Sequence, residues 1–117
     1  MSALSGVWGE VYAARYLRDH GYSIRTANYR TRLGEVDIVA EKDGILVFVE
    51  VKTRSAGMIA RPMESVDRQK QRKLKLAAQQ YLRREPPQTT ARFDVIEVYL
   101  DAQEKLVEVR HIPDAFS

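Results

Sequence analysis

The chain has 117 residues, no cysteine, 30% charged residues and 44% hydrophobic ones. That length suits one domain with a single core, expected to span residues 1–117, and the missing cysteines exclude disulfides and thiolate metal sites and fit a reducing, cytoplasmic setting. The net charge of +3 is uneven: from Lys52 to Arg84 ten Lys or Arg face two acids, for +8, while the remainder carries nine bases and fourteen acids, for −5. A basic middle segment suggests a polyanionic partner, most often nucleic acid, although a solvated helix face gives the same count. Met1 to Gly6 shows no secretory pattern, and the longest apolar run, Ile45 to Val49, is too short to span a bilayer, so no membrane partner is expected.

Leu4 to His20 reads as a first helix, with Ser5 as N-cap and Gly21 as the residue that stops it. Val7, Val11, Ala14 and Leu17, with Ala13 beside them, form an apolar stripe at helical spacing. Glu10 lies at the edge of that stripe, where a glutamate is either merely exposed or functional. Tyr22 to Tyr29 is a weakly patterned strand expected near a sheet edge. Asn28 to Gly34 is a basic connection carrying Arg30 and Arg32. Glu35 to Glu41 is a second strand, Lys42-Asp43-Gly44 a tight hairpin turn, and Ile45 to Val51 a third strand paired antiparallel with the second.

Ser55 to Met63 reads as a substrate-facing loop. A second helix runs from about Val66 to Arg84, with Ser65 as N-cap and Pro86-Pro87 beyond its end. Its stripe of Val66, Lys70, Leu74, Ala77 and Tyr81 sets Lys70 on the apolar side. Either its stem snorkels to the edge, or its ammonium serves a groove that Gln69 and Lys73 also reach. Arg92 to Leu100 alternates as a fourth strand, in which Asp94 is expected to form a structural ion pair. Leu106 to Ile112 returns as the last strand of a hairpin, and Pro113 to Ser117 is a tail.

The third strand breaks a rule. Its β-branched apolar run reads as a strand buried on both faces, yet it contains Glu50 and leads directly into Lys52. A buried charge is costly unless it is paired or bound to a metal. Alternation places Glu50 and Lys52 on one face with Leu46 and Phe48, and Val47, Val49 and Val51 on the other. The hairpin brings Asp37, near the start of the second strand, to the same end. Two hard oxygen ligands without histidine or cysteine suit Mg²⁺ or Mn²⁺, with the Val51 carbonyl as a further ligand and Glu10 joining directly or through water. Such an ion polarises a phosphate and acidifies a bound water. In that reading Lys52 orients the water or takes its proton, Lys70 holds the phosphate, and Arg30, Arg32, Arg54, Gln69 and Lys73 are candidate substrate contacts. The alternative is a buried salt bridge from Glu50 to Lys52 or Arg54.

These motifs occur together in a recognisable order. Gly9-Glu10-x-x-Ala13-x-x-Tyr16-Leu17, Asn28-Tyr29-Arg30-x-Arg32-x-Gly34-Glu35-Val36-Asp37, Phe48-Val49-Glu50-Val51-Lys52-x-Arg54, Lys70 and Arg92-Phe93-Asp94-Val95 resemble the YraN family of small bacterial proteins. That resemblance implies an α/β, restriction-endonuclease-like fold. Its core is αβββαβ, a central mixed sheet flanked by helices, with a C-terminal hairpin strand. It is similar to Holliday junction resolvases and PD-(D/E)XK nucleases. The resemblance implies Mg²⁺-dependent phosphodiester cleavage of DNA, branched DNA included, and a homodimer. It matches Asp37, Glu50 and Lys52 to the nuclease motif, Glu10 to the carboxylate of the first helix and Lys70 to the polar residue of the helix after the core. A module that binds nucleic acid or protein without cutting it is the other reading of the same fold.

Overall fold

The structure, a computed structural model, describes residues 3–58 and 66–117, with the backbone alone for residues 3–5 and 58. In chain order the elements are helix α1 (Ala3–Asp19), strands β1 (Ser23–Arg30), β2 (Glu35–Lys42) and β3 (Ile45–Ser55), a 3-10 turn (Ala56–Met58), helix α2 (Arg68–Leu82) and strands β4 (Thr90–Leu100) and β5 (Leu106–Phe116). The strands form one sheet in the order β1-β2-β3-β4-β5. All neighbours are antiparallel except β3 and β4, which run parallel. This is the expected α/β core, αβββαβ with a C-terminal hairpin strand. No helix among the described residues is long and apolar enough to cross a membrane.

The two faces of β3 explain the layering. Val47 and Val49 pack with Ala13 and Leu17 of α1 and with Ile96 and Val98 of β4. Leu46 and Phe48 pack with Leu74, Ala77, Ala78 and Tyr81 of α2. The alternation thus assigns each side chain to a helix, and Glu50 falls on the α2 face. Between β2 and β3, Asp43 (φ 52°) and Gly44 (φ 78°) both take left-handed backbone, as a two-residue hairpin turn of this kind requires.

Three details differ from the sequence reading. The buried line of α1 runs through Gly9, Ala13 and Leu17, whereas Val7 (58% exposed) and Val11 (39%) face outward. The cause is close approach at Gly9, where a Cβ would lie 1.9 Å from Thr53 Oγ1, so the helix rests on β3 along its small residues. Ser5 is already inside α1 and does not precede it. The segment read as a C-terminal tail extends β5 to Phe116, which pairs with Phe93. Pro113 is tolerated there because β5 is an edge strand and the pairing is irregular at that end. The Ser65 cap and the end of the Ser55–Met63 loop lie outside the described residues. Helix α2 begins at Arg68 behind Asp67, whose side chain accepts the Lys70 backbone N–H at 2.8 Å.

Asp94 forms the structural ion pair expected of it. Fully buried, it accepts from Arg92 through two 2.8 Å bonds, from the Asp114 backbone N–H at 3.0 Å, and lies 2.7 Å from His111 Nε2. Burial pushes its pKa up, but the bonds from His111, Arg92 and the Asp114 N–H outweigh burial and hold it below the ordinary carboxylate value. Asp94→Ala strands three donors at once, and we expect it to lower the unfolding free energy by about 3 kcal/mol in urea titrations at neutral pH. A depressed carboxylate stabilises the fold above its unfolded pKa and loses that contribution as the pH falls through the folded value. The gap between variant and wild type should therefore narrow in acid.

Candidate active site

The geometry of the site follows from where β2 and β3 part. Their pairing stops at Ile38 and Val49. Beyond it, Asp37 Oδ2 accepts the Val51 backbone N–H at 2.8 Å, so a side chain takes a donor that the ladder has released. The N–H and C=O of one strand residue point to the same side, which turns the Val51 carbonyl toward Asp37 as well. Val36 and Val39 both pack on the α2 side, three residues apart, so the alternation of β2 slips around Asp37.

Glu50 is 3% exposed and shares a hydrogen bond with Asp37. Burial and the adjacent Glu50 charge push the Asp37 pKa up to about 7, against the pull of the Val51 N–H. Lys70 closes the group from α2, its Nζ 2.6 Å from Glu50 Oε1. The hydrogen bond with Glu50 raises the Lys70 pKa, partial burial opposes it, and the charges of Glu50, Asp37 and Glu35 add to the rise. Glu50 is thus paired with a lysine, but with Lys70 across the layer and not with its strand neighbours.

Glu10 stands further off. Its charge adds to the rise at Asp37, and its Oε2 accepts from Asn28 Nδ2 at 3.1 Å. No three His, Asp or Glu among the described residues lie close enough to hold an ion by themselves. Lys52 is half-buried on the Glu50 face, in register with Glu97 of β4, and forms no ion pair among the described residues. Arg54 is held by Glu97, Nε to Oε2 at 2.6 Å, and Glu97 also accepts from the Tyr99 hydroxyl at 3.0 Å.

Above Glu50 opens a cleft of about 580 Å³ between α2 and the β1–β2 connection. Arg30, Arg32, Gln69, Lys70 and Lys73 line it together with Glu50. Four of the five candidate substrate contacts, from two distant segments, therefore converge on one opening, and Arg54 stays outside it. The connection is rigid for local reasons. Thr31 Oγ1 accepts the N–H groups of Leu33 and Gly34, each at 3.1 Å, and Gly34 lies so close to α2 that a Cβ would sit 2.1 Å from the Lys73 carbonyl oxygen.

Several residues escaped the sequence reading. Asn28 anchors Glu10 and takes φ 53° inside β1; an Asn in a weak strand was its one signal, since Asn tolerates that conformation. Thr31, Gly34 and Asp67 shape the cleft through turn and cap chemistry that carries no reactive group.

Against this geometry, the model of the Uncharacterised protein family UPF0102 matches residues 9–98. The chain belongs to this family. The match begins at the glycine that seats α1 and ends within β4, so this UPF0102 span takes in Glu10, Asp37, Glu50, Lys52 and Lys70 of the chain. A UPF0102 protein of Alkaliphilus oremlandii is 45% identical over 99% of this chain and 100% of its own length. One of Moorella thermoacetica is 46% identical over 95% and 93%, and one of Desulforamulus reducens 43% over 92% and 90%.

The raised pKa of Asp37 has a consequence for stability. Between about pH 4 and pH 7 the folded chain keeps a proton on Asp37 that the unfolded chain releases, so this group lowers stability as the pH rises through that window. Asn can still accept the Val51 N–H without carrying charge. In chelator, Asp37→Asn should raise the unfolding free energy at pH 8 by up to about 4 kcal/mol and should give no gain below pH 4, read from urea midpoints. An equal effect at both pH values would contradict the paired carboxylates.

Proposed function

We propose that the protein is a Mg²⁺- or Mn²⁺-dependent nuclease that hydrolyses phosphodiester bonds in DNA, branched DNA included. The observation that carries this reading is the Asp37–Glu50 pair, whose buried Glu50 lines a cleft walled by Arg30, Arg32 and Lys73. Two carboxylates held in contact, one with its pKa pushed up to about 7, form a site short of positive charge. That donor set, with the Val51 carbonyl beside it, fits a hard divalent ion that keeps several waters, and Glu10 would contact such waters. When bound, the ion would supply Lewis acidity at the scissile phosphate and a more acidic water.

The chain's own groups then have distinct tasks. Arg30, Arg32, Lys73 and Gln69 bind the phosphodiester backbone along the cleft. Lys70, which lines the cleft beside Glu50, would hold the scissile phosphate once an ion neutralised that carboxylate. Lys52, on the same strand face as Glu50, orients the attacking water or, as the neutral amine, accepts its proton. A phosphate pressed against buried carboxylates is repelled unless these cations and the ion offset the charge, which is why the cleft wall is basic.

One observation favours a second reading. The Lys70 ammonium already gives Glu50 a cation at 2.6 Å, as a module that binds nucleic acid or a protein partner without cutting would require. Cleavage separates the two. With Mn²⁺ or Mg²⁺, wild type should cut four-way junctions or duplex DNA, and Asp37→Asn, Glu50→Gln and Lys52→Ala should each lower the rate by about 100-fold or more while circular dichroism stays native. No cleavage by wild type, with salt-sensitive binding that needs no metal and survives Glu50→Gln, would establish the binding module instead.

A further inference from the structure

A second cleft, of about 760 Å³, lies on the other side of the β1–β2 connection. Arg30 to Leu33 line both clefts, so this short connection is the ridge between them. The two openings differ in chemistry. The first holds Glu35, Glu50 and Asp67 among its cations, whereas the second is lined by Arg30, Arg32 and Arg84 and by no acid. Tyr29 lines it, with the buried Tyr81 ring behind. The Arg84 guanidinium lies 5.6 Å from the centre of the Tyr29 ring and 4.9 Å from that of Tyr81, and Arg84 forms no ion pair among the described residues. A guanidinium held over tyrosine rings beside further arginines offers a stacking surface for a base and cations for its phosphate.

The ridge carries a second unusual feature. Leu33 is 58% exposed, between Arg32 and Gly34, on a turn fixed by Thr31 and docked against the α2 backbone at Gly34. An exposed leucine alone means little. A leucine on a rigid tip between two basic clefts has the form of the apolar wedges that part stacked bases.

We propose that the substrate is a nucleic acid with an unpaired strand beside a duplex, that Leu33 stands at the branch point, and that the Tyr29–Arg84 cleft holds the unpaired strand. This rests on the nucleic-acid substrate proposed above and names which form of it the protein selects. The duplex side occupies the first cleft with its scissile phosphate. The parted strand crosses the ridge and stacks on Arg84.

The test uses the full chain in Ca²⁺, which supports binding without turnover in many nucleases, and two fluorescein-labelled DNAs: a plain duplex and a fork carrying 2-aminopurine at its branch point. Wild type should bind the fork about tenfold more tightly than the duplex and raise the 2-aminopurine signal as the base unstacks. Leu33→Ala should lose the 2-aminopurine rise, and Arg84→Ala should lose most of the fork preference. Both positions are exposed, and circular dichroism verifies folding. Equal binding of fork and duplex by wild type, or unchanged signals in both variants, would overturn the inference while leaving duplex cleavage intact. Failure of wild type to bind either DNA would overturn it together with the nucleic-acid reading.

Discussion

Two carboxylates in contact away from bulk water cannot both stay charged without a cation, and the site is arranged around that constraint. Asp37 and Glu50 meet where β2 and β3 separate, Glu50 buried and Asp37 half-buried. Asp37 is tied to the Val51 backbone, and Glu50 points from a buried strand face into the α2 layer. The protein relieves the excess charge in two partial ways, a proton held on Asp37 and an ammonium supplied by Lys70. In the proposed function, a divalent ion would replace both. A site built for stability alone would more simply fill this position with an apolar pair.

Another buried acid of the sheet, Asp94, shows what a settled charge looks like. Asp94 has Arg92, His111 and a backbone N–H around it, and its pKa is held down. Asp37 and Glu50 lie on the same sheet with one lysine between them, and the pKa of Asp37 is driven up. The contrast is chemical, since half-buried Asp37 has its pKa raised while fully buried Asp94 has its pKa lowered. Full pairing fixes β5 onto the sheet, and incomplete pairing leaves the Asp37–Glu50 site with excess negative charge, the basis of the proposed cation site.

Much of this was legible in the sequence because the features obey short-range rules. Asp43-Gly44 announced the hairpin, β-branched alternation set the faces of β3, and Glu50 stood out as a charge in an apolar run. Hairpin register then placed Asp37 beside it, and helical spacing placed Lys70 above it. What stayed hidden depends on contacts between distant segments. The seat of α1 on β3 is decided by Gly9 against Thr53, so an apolar stripe through Val7 and Val11 pointed to the wrong face. The extension of β5 through Pro113 depends on an irregular edge pairing and on Asp94 capping the Asp114 N–H, neither of which has local periodicity. Arg54 read as a substrate contact or a partner of Glu50 and is held by Glu97 of a strand more than forty residues away.

The most direct test is calorimetric titration of Mn²⁺ into wild type and Glu50→Gln near neutral pH, repeated in buffers of different ionisation enthalpy and with junction DNA present. The account predicts one site in wild type, proton release on binding as Asp37 ionises, and loss of that site in a variant that remains folded. No binding by wild type even with DNA, or the same binding in Glu50→Gln, would contradict a cation site built on the Asp37–Glu50 pair.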